Sequence, residues 1–162
     1  MKRSFVIAAV SAAAVGTALH FLYAALPNPL TALFSPVNES VWEHLKLLYW
    51  PTLFAAWALS AQTQETYRLW SAFFAAVLAM PAALLGAYFA ARKLLGELPD
   101  WTNIALYYLV LLGGFALAWR LYRSGWAKKA VGYLLSAVML YGAALILFTF
   151  AAPPVGIFLP PA

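Results

Sequence analysis

The few charges of this chain cut it into apolar runs, and the length of those runs limits the fold more than any motif does. Residues 4–26, 69–91, 101–119 and 130–152 hold no Asp, Glu, Lys or Arg. A helix needs about 20 apolar residues to cross a hydrocarbon core roughly 30 Å thick. Inside that core every backbone N–H and C=O must be paired, so only helices and closed barrels span it. Ala and Leu richness without period-two alternation selects helix. A fifth run, 37–61, carries charges only toward its start. With 65% hydrophobic and 9% charged residues, against about 25% charged in soluble domains, the expectation is an all-α integral membrane bundle. It comprises about five transmembrane helices in one domain, 1–162, and ends in a Pro-rich tail at 153–162.

Charge by loop sets the orientation. Lys2, Arg3, Arg68, Arg120, Arg123, Lys128 and Lys129 fall on one side of such a bundle, and Lys46, Arg92 and Lys93 on the other. The positive-inside rule then puts the N-terminus inside and the C-terminus outside. The net charge of +5 reads as topology and contact with anionic membrane lipids, not as a nucleic-acid surface. Zero cysteines exclude disulfides and thiol chemistry. Lys2-Arg3 before an apolar run, with Gly16-Thr17-Ala18 following, also fits a secretory signal. The run continues through His20-Phe21-Leu22-Tyr23 to Leu26, which is the length of a span.

Ser35-Pro36-Val37-Asn38-Glu39-Ser40-Val41-Trp42-Glu43-His44-Leu45-Lys46 gathers two of the five acids and one of the two histidines. Ionisable groups at membrane depth are costly and mark a site by default. From Leu47 to Ala61 only fifteen uncharged residues remain, too few to span, so the motif must supply the missing turns. That places Glu43, His44 and Lys46 at the outer edge of the hydrocarbon, level with His20. Ser35-Pro36 reads as N-cap and first helical residue. On the resulting wheel Glu39, Glu43, Lys46 and Trp50 share one face, while Ser40 and His44 share another.

Several chemistries fit this set. Glu39 and Glu43 with His20, joined by His44 if the first turn is irregular, would hold zinc or a similar divalent metal. A desolvated Glu43 or His44 would serve as acid or base. Ser40 and His44 at i and i+4 could touch, without a third acid to complete a serine hydrolase. In the plainest reading Glu39 and Glu43 pair with Lys46 and pin the helix end. Elsewhere, Pro51 and Pro81 each free a carbonyl one turn earlier. Gly86, Gly113, Gly114, Gly132, Ser136 and Gly142 suit close helix contacts or a homo-oligomer. Trp42, Tyr49, Trp50, Trp70, Trp101, Trp119, Tyr122 and Trp126 fall near helix ends as in interfacial belts. Arg92, Lys93, Glu97 and Asp100 form an outer loop, and the Pro-rich tail emerges on the motif's side as a lid.

The string from Pro36 to Lys46, with His20-Phe21-Leu22-Tyr23, Thr149-Phe150, Pro153-Pro154 and Phe158, resembles a family of small bacterial polytopic membrane proteins known only as a domain of unknown function. Its members tend to end in Phe-x-Asp-Pro, whereas this chain reads Phe158-Leu159-Pro160-Pro161. The resemblance implies that His20, Asn38, Glu39, Trp42, Glu43, His44 and Lys46 form a signature site in the bacterial inner membrane, and it supplies no activity. The expected function is binding or transport of a small molecule, lipid or ion through an outward-facing polar pocket. The alternatives are a metal-dependent or acid/base enzyme acting on a lipid-like substrate, and a structural or assembly subunit.

Overall fold

A computed structural model describes residues 1–96 and 99–159. Glu97 of the expected outer loop and residues 160–162 of the tail lie outside the described residues. The described residues form helices without strands: α1 (Lys2–Ala25), the single turn α2 (Pro29–Ala32), α3 (Val41–Ser60), α4 (Thr66–Leu95), α5 (Asp100–Ser124) and α6 (Val131–Phe150). Short 3₁₀ segments follow at Trp126–Ala130 and Gly156–Phe158. Helices at Lys2–Ala25, Thr66–Leu95, Trp101–Ser124 and Trp126–Phe150 are long and apolar enough to cross a membrane. α3 is not among them, because Glu43, His44 and Lys46 occupy its first turns. It packs against α1, α4 and α6, with Leu45, Leu48, Ala56 and Leu59 buried.

Successive long helices alternate in direction. Phe5 near the start of α1 packs on Phe73 of α4 and on Trp119 and Tyr122 of α5, with ring centroids 5.0–5.6 Å apart. The seven basic residues from Lys2 to Lys129 named above therefore gather at this end, and the motif lies at the other. The shared core is Phe73, Val77 and Met80 of α4, Leu111 and Phe115 of α5, and Val138 and Leu145 of α6. Large apolar side chains such as Val10, Leu109 and Leu140 point outward, which in water would favour aggregation and in lipid matches the solvent.

Helix boundaries differ from the sequence expectation where polar groups intervene. α3 starts at Val41 rather than 37, because the Ser40 hydroxyl accepts the Glu43 N–H at 3.3 Å and acts as its N-cap. Upstream, Asn28 caps α2: its side chain accepts the Leu30 and Thr31 N–H groups and Pro29 follows at the first helical position. α4 extends beyond 69–91 at both ends, since Tyr67, Arg68, Arg92 and Lys93 can keep polar tips in water while their stems cover the helix. α5 runs past 119 to Ser124, where Gly125 at φ +67° ends it in the left-handed conformation favoured at that cap position.

The small residues divide unexpectedly. A Cβ on Gly142 would lie 2.2 Å from the Tyr49 hydroxyl, and one on Gly114 would lie 1.9 Å from Met80 Cε. Gly86, Gly113 and Gly132 face open space, so they are not helix contacts within this chain. Gly16 is a contact that the sequence did not reveal: a Cβ there would lie 1.9 Å from the Tyr107 hydroxyl and 3.2 Å from the Leu47 carbonyl. Gly16→Ala should therefore destabilise by about 1–3 kcal/mol, whereas Gly113→Ala should be neutral or stabilising by up to about 1 kcal/mol. Thermal unfolding of both variants in one detergent checks the contrast. The aromatic belt also needs correction: Trp101 and Trp126 are exposed, but Tyr49 is buried and donates its hydroxyl to the Val138 carbonyl at 3.1 Å.

Candidate functional site

The loop between α1 and α3 builds the motif end. Ser35, expected to cap α3, is fully buried against α1 instead. Its hydroxyl donates to the Leu19 carbonyl at 2.5 Å and accepts the Tyr23 N–H at 3.0 Å. Those two groups would ordinarily bond each other along the helix, so Ser35 is inserted into the last turns of α1 beside His20. Three residues downstream, Asn38 Oδ1 accepts the Ser40 N–H at 2.9 Å and folds the loop that presents Glu39.

Glu43 and Lys46 form a buried clamp. Lys46 Nζ donates to Glu43 Oε2 at 2.6 Å, to the Ala32 carbonyl at 2.8 Å and to the Ser35 carbonyl at 3.3 Å. An ammonium has three donors, and all three are used. Glu43 Oε2 also accepts the Val37 N–H at 2.9 Å, while Oε1 accepts the Thr149 hydroxyl at 3.1 Å. Both residues are essentially inaccessible to solvent. The pair ties the loop, α3 and α6 together, and three of the acceptor positions of its carboxylate are taken. Glu43, expected among the metal ligands, is not in the group of donors that comes together, which is His20, Glu39 and His44.

Glu39 lies outside the helix, so the expected face of Glu39, Glu43, Lys46 and Trp50 does not form. Trp50 donates its indole N–H to the Leu33 carbonyl at 2.9 Å instead. Glu39 Oε2 approaches His44 Nε2 at 3.3 Å. On the other side of that ring, His44 Nδ1 lies 2.8 Å from the Ser40 carbonyl oxygen. A carbonyl can only accept, which assigns the proton to Nδ1 and leaves Nε2 toward Glu39. In the neutral ring two lone-pair-bearing atoms then face each other, an arrangement that a cation between them stabilises. Ser40 Oγ is used as the helix cap and does not reach the imidazole, which removes the serine–histidine pairing.

His20 completes the cluster from α1, with its ring centroid 5.2 Å from that of His44. One ligand atom each from His20, Glu39 and His44 lies within 4.8 Å of the others. Donors at 2.0–2.1 Å from a tetrahedral zinc ion are about 3.3 Å apart, so a small inward movement of His20 would close the set. Glu39 is exposed and both histidines are half-buried. One turn below His20, the Tyr107 hydroxyl is buried without a hydrogen-bond partner. It reaches the same point at Gly16 as the Leu47 carbonyl, whose usual i+4 donor is lost to Pro51. Gly16 four residues before His20 and Pro51 four after Leu47 were the available sequence signals for this close approach.

The tail does dock on the motif helix, though on the face away from the histidines. Phe158 packs on Trp42 at 4.8 Å and on Phe148 at 5.2 Å between centroids. Trp42 and His44 are about 200° apart on the wheel, so the described part of the tail, through Leu159, packs on the side of α3 away from His44. No curated protein and no solved structure matches the chain. A family model described as a family of unknown function (DUF6512) matches residues 2–161, and the chain belongs to that family.

Proposed function

We propose that this protein binds a divalent metal ion of the zinc class at its motif end, through His20, Glu39 and His44. The observation that carries the reading is the convergence of two imidazoles and a carboxylate, with His44 oriented by the Ser40 carbonyl. Two nitrogens and an oxygen suit zinc and neighbouring ions, and a histidine fixed by a backbone carbonyl is the usual outer support of a metal ligand. Leu48, Phe73, Met80 and Leu111 fill the bundle core, which supports a site that holds an ion over one that conducts it. The basic residues at the opposite end support an orientation in the bacterial inner membrane with the site facing outward.

A second reading rests on the three-residue donor set. Three protein ligands leave a coordination position open, the pattern of catalytic rather than structural zinc sites. Metal-dependent chemistry on the polar group of a lipid-like substrate fits such a site at a membrane surface. Elemental analysis of detergent-purified, zinc-loaded protein tests the binding itself. The expected content is about one ion per chain, lost in His20→Ala and His44→Ala and kept in the Glu43→Gln/Lys46→Met double variant. Zinc that stays in both histidine variants, or never binds the wild type, would remove the proposal.

A further inference from the structure

A groove of about 300 Å³ runs between α1 and α3 from the basic end of the bundle. Ile7, Val15, Phe54 and Ala58 form apolar walls, with Ser11 between them, and Ser4 and Gln62 stand at the mouth. From Ser4 to Val15 the groove extends about 16 Å along α1. That is close to half of a roughly 30 Å hydrocarbon core, the depth of one leaflet.

The mouth carries an electrostatic mismatch. α1 begins with Lys2 and Arg3, has no acidic residue in its first turn and lacks a side-chain cap. Cations there lie at the positive end of the helix dipole, where an anion is favoured. Among the described residues neither has an acidic partner. Arg3 lies about 40° from the Ile7 edge of the groove on the helical wheel, within reach of anything seated at the mouth. An anionic group there would satisfy the uncapped N–H groups and both side chains at once.

We infer that this groove is a binding site for one anionic phospholipid of the facing leaflet. One acyl chain lies between Ile7 and Ala58, and the phosphate is held at the start of α1 by Lys2 and Arg3. Native mass spectrometry of the detergent-purified protein, titrated with phosphatidylglycerol or phosphatidylcholine of identical chains, tests it. Two surface cations predict about 25-fold preferential retention of phosphatidylglycerol, roughly fivefold for each. Lys2→Gln/Arg3→Gln should abolish the preference, and Ala58→Phe, which fills the groove from an exposed position, should lose the bound lipid. Val10→Phe, on the exposed surface outside the groove, should change neither. Equal retention of the two lipids, or a preference that survives either groove or headgroup variant, would overturn the site. Metal content plays no part in these readouts.

Discussion

Lys46→Met is expected to destabilise the folded protein by about 3–5 kcal/mol, because it leaves the Glu43 carboxylate buried without its cation. The substitution also strips the Ala32 and Ser35 carbonyls of their donor. The anchor between the α1–α3 loop and α3 should loosen, and with it the Thr149 contact from α6. The double variant Glu43→Gln/Lys46→Met removes the unpaired charge while keeping an acceptor for the Val37 N–H and a polar partner for Thr149. It should recover more than half of the loss. Unfolding midpoints of the wild type, both single variants and the double variant, measured in one detergent, give the coupling directly. A Lys46→Met variant within about 1 kcal/mol of wild type, below the expected cost of a broken buried pair, would show that the clamp does not hold the motif end.

Loss of one imidazole should act on the ion and spare the fold. His20→Ala or His44→Ala is expected to weaken zinc binding by at least about 100-fold, the upper range for removing an orienting partner alone. Asn38→Ala frees the loop that presents Glu39 and should cost about 10–100-fold. Neither histidine takes part in the clamp, so their unfolding midpoints without added metal should stay near wild type. Competition against a chromophoric zinc chelator measures the affinities. If all four proteins compete equally, the cluster does not bind the ion.

The apolar runs were legible because hydrocarbon permits so few backbone solutions. Lys46 and Glu43 were legible as partners from their i, i+3 spacing. Glu39 was not, because its placement depends on whether the helix begins at Pro36 or at Val41. Two short polar residues decide that. Ser35 could have capped α3, but its hydroxyl is taken by Leu19 and Tyr23 of α1, and Ser40 caps instead. Moving the start from Pro36 to Val41 released Glu39 from the Glu43 face and brought it to His44. Tyr107 was out of reach for a different reason: its approach depends on Gly16 in another helix, a tertiary contact with no local pattern. The tail's attachment to Trp42 rather than to the histidines likewise depends on which side of α3 faces α6.

Zinc K-edge X-ray absorption of the loaded, desalted protein bears most directly on the His20, Glu39 and His44 site. The expected spectrum has nitrogen and oxygen donors at about 2.0–2.1 Å and outer-shell scattering from two imidazole rings, falling to one ring in residual metal bound by His44→Ala. A shell of oxygens without imidazole scattering would contradict the site.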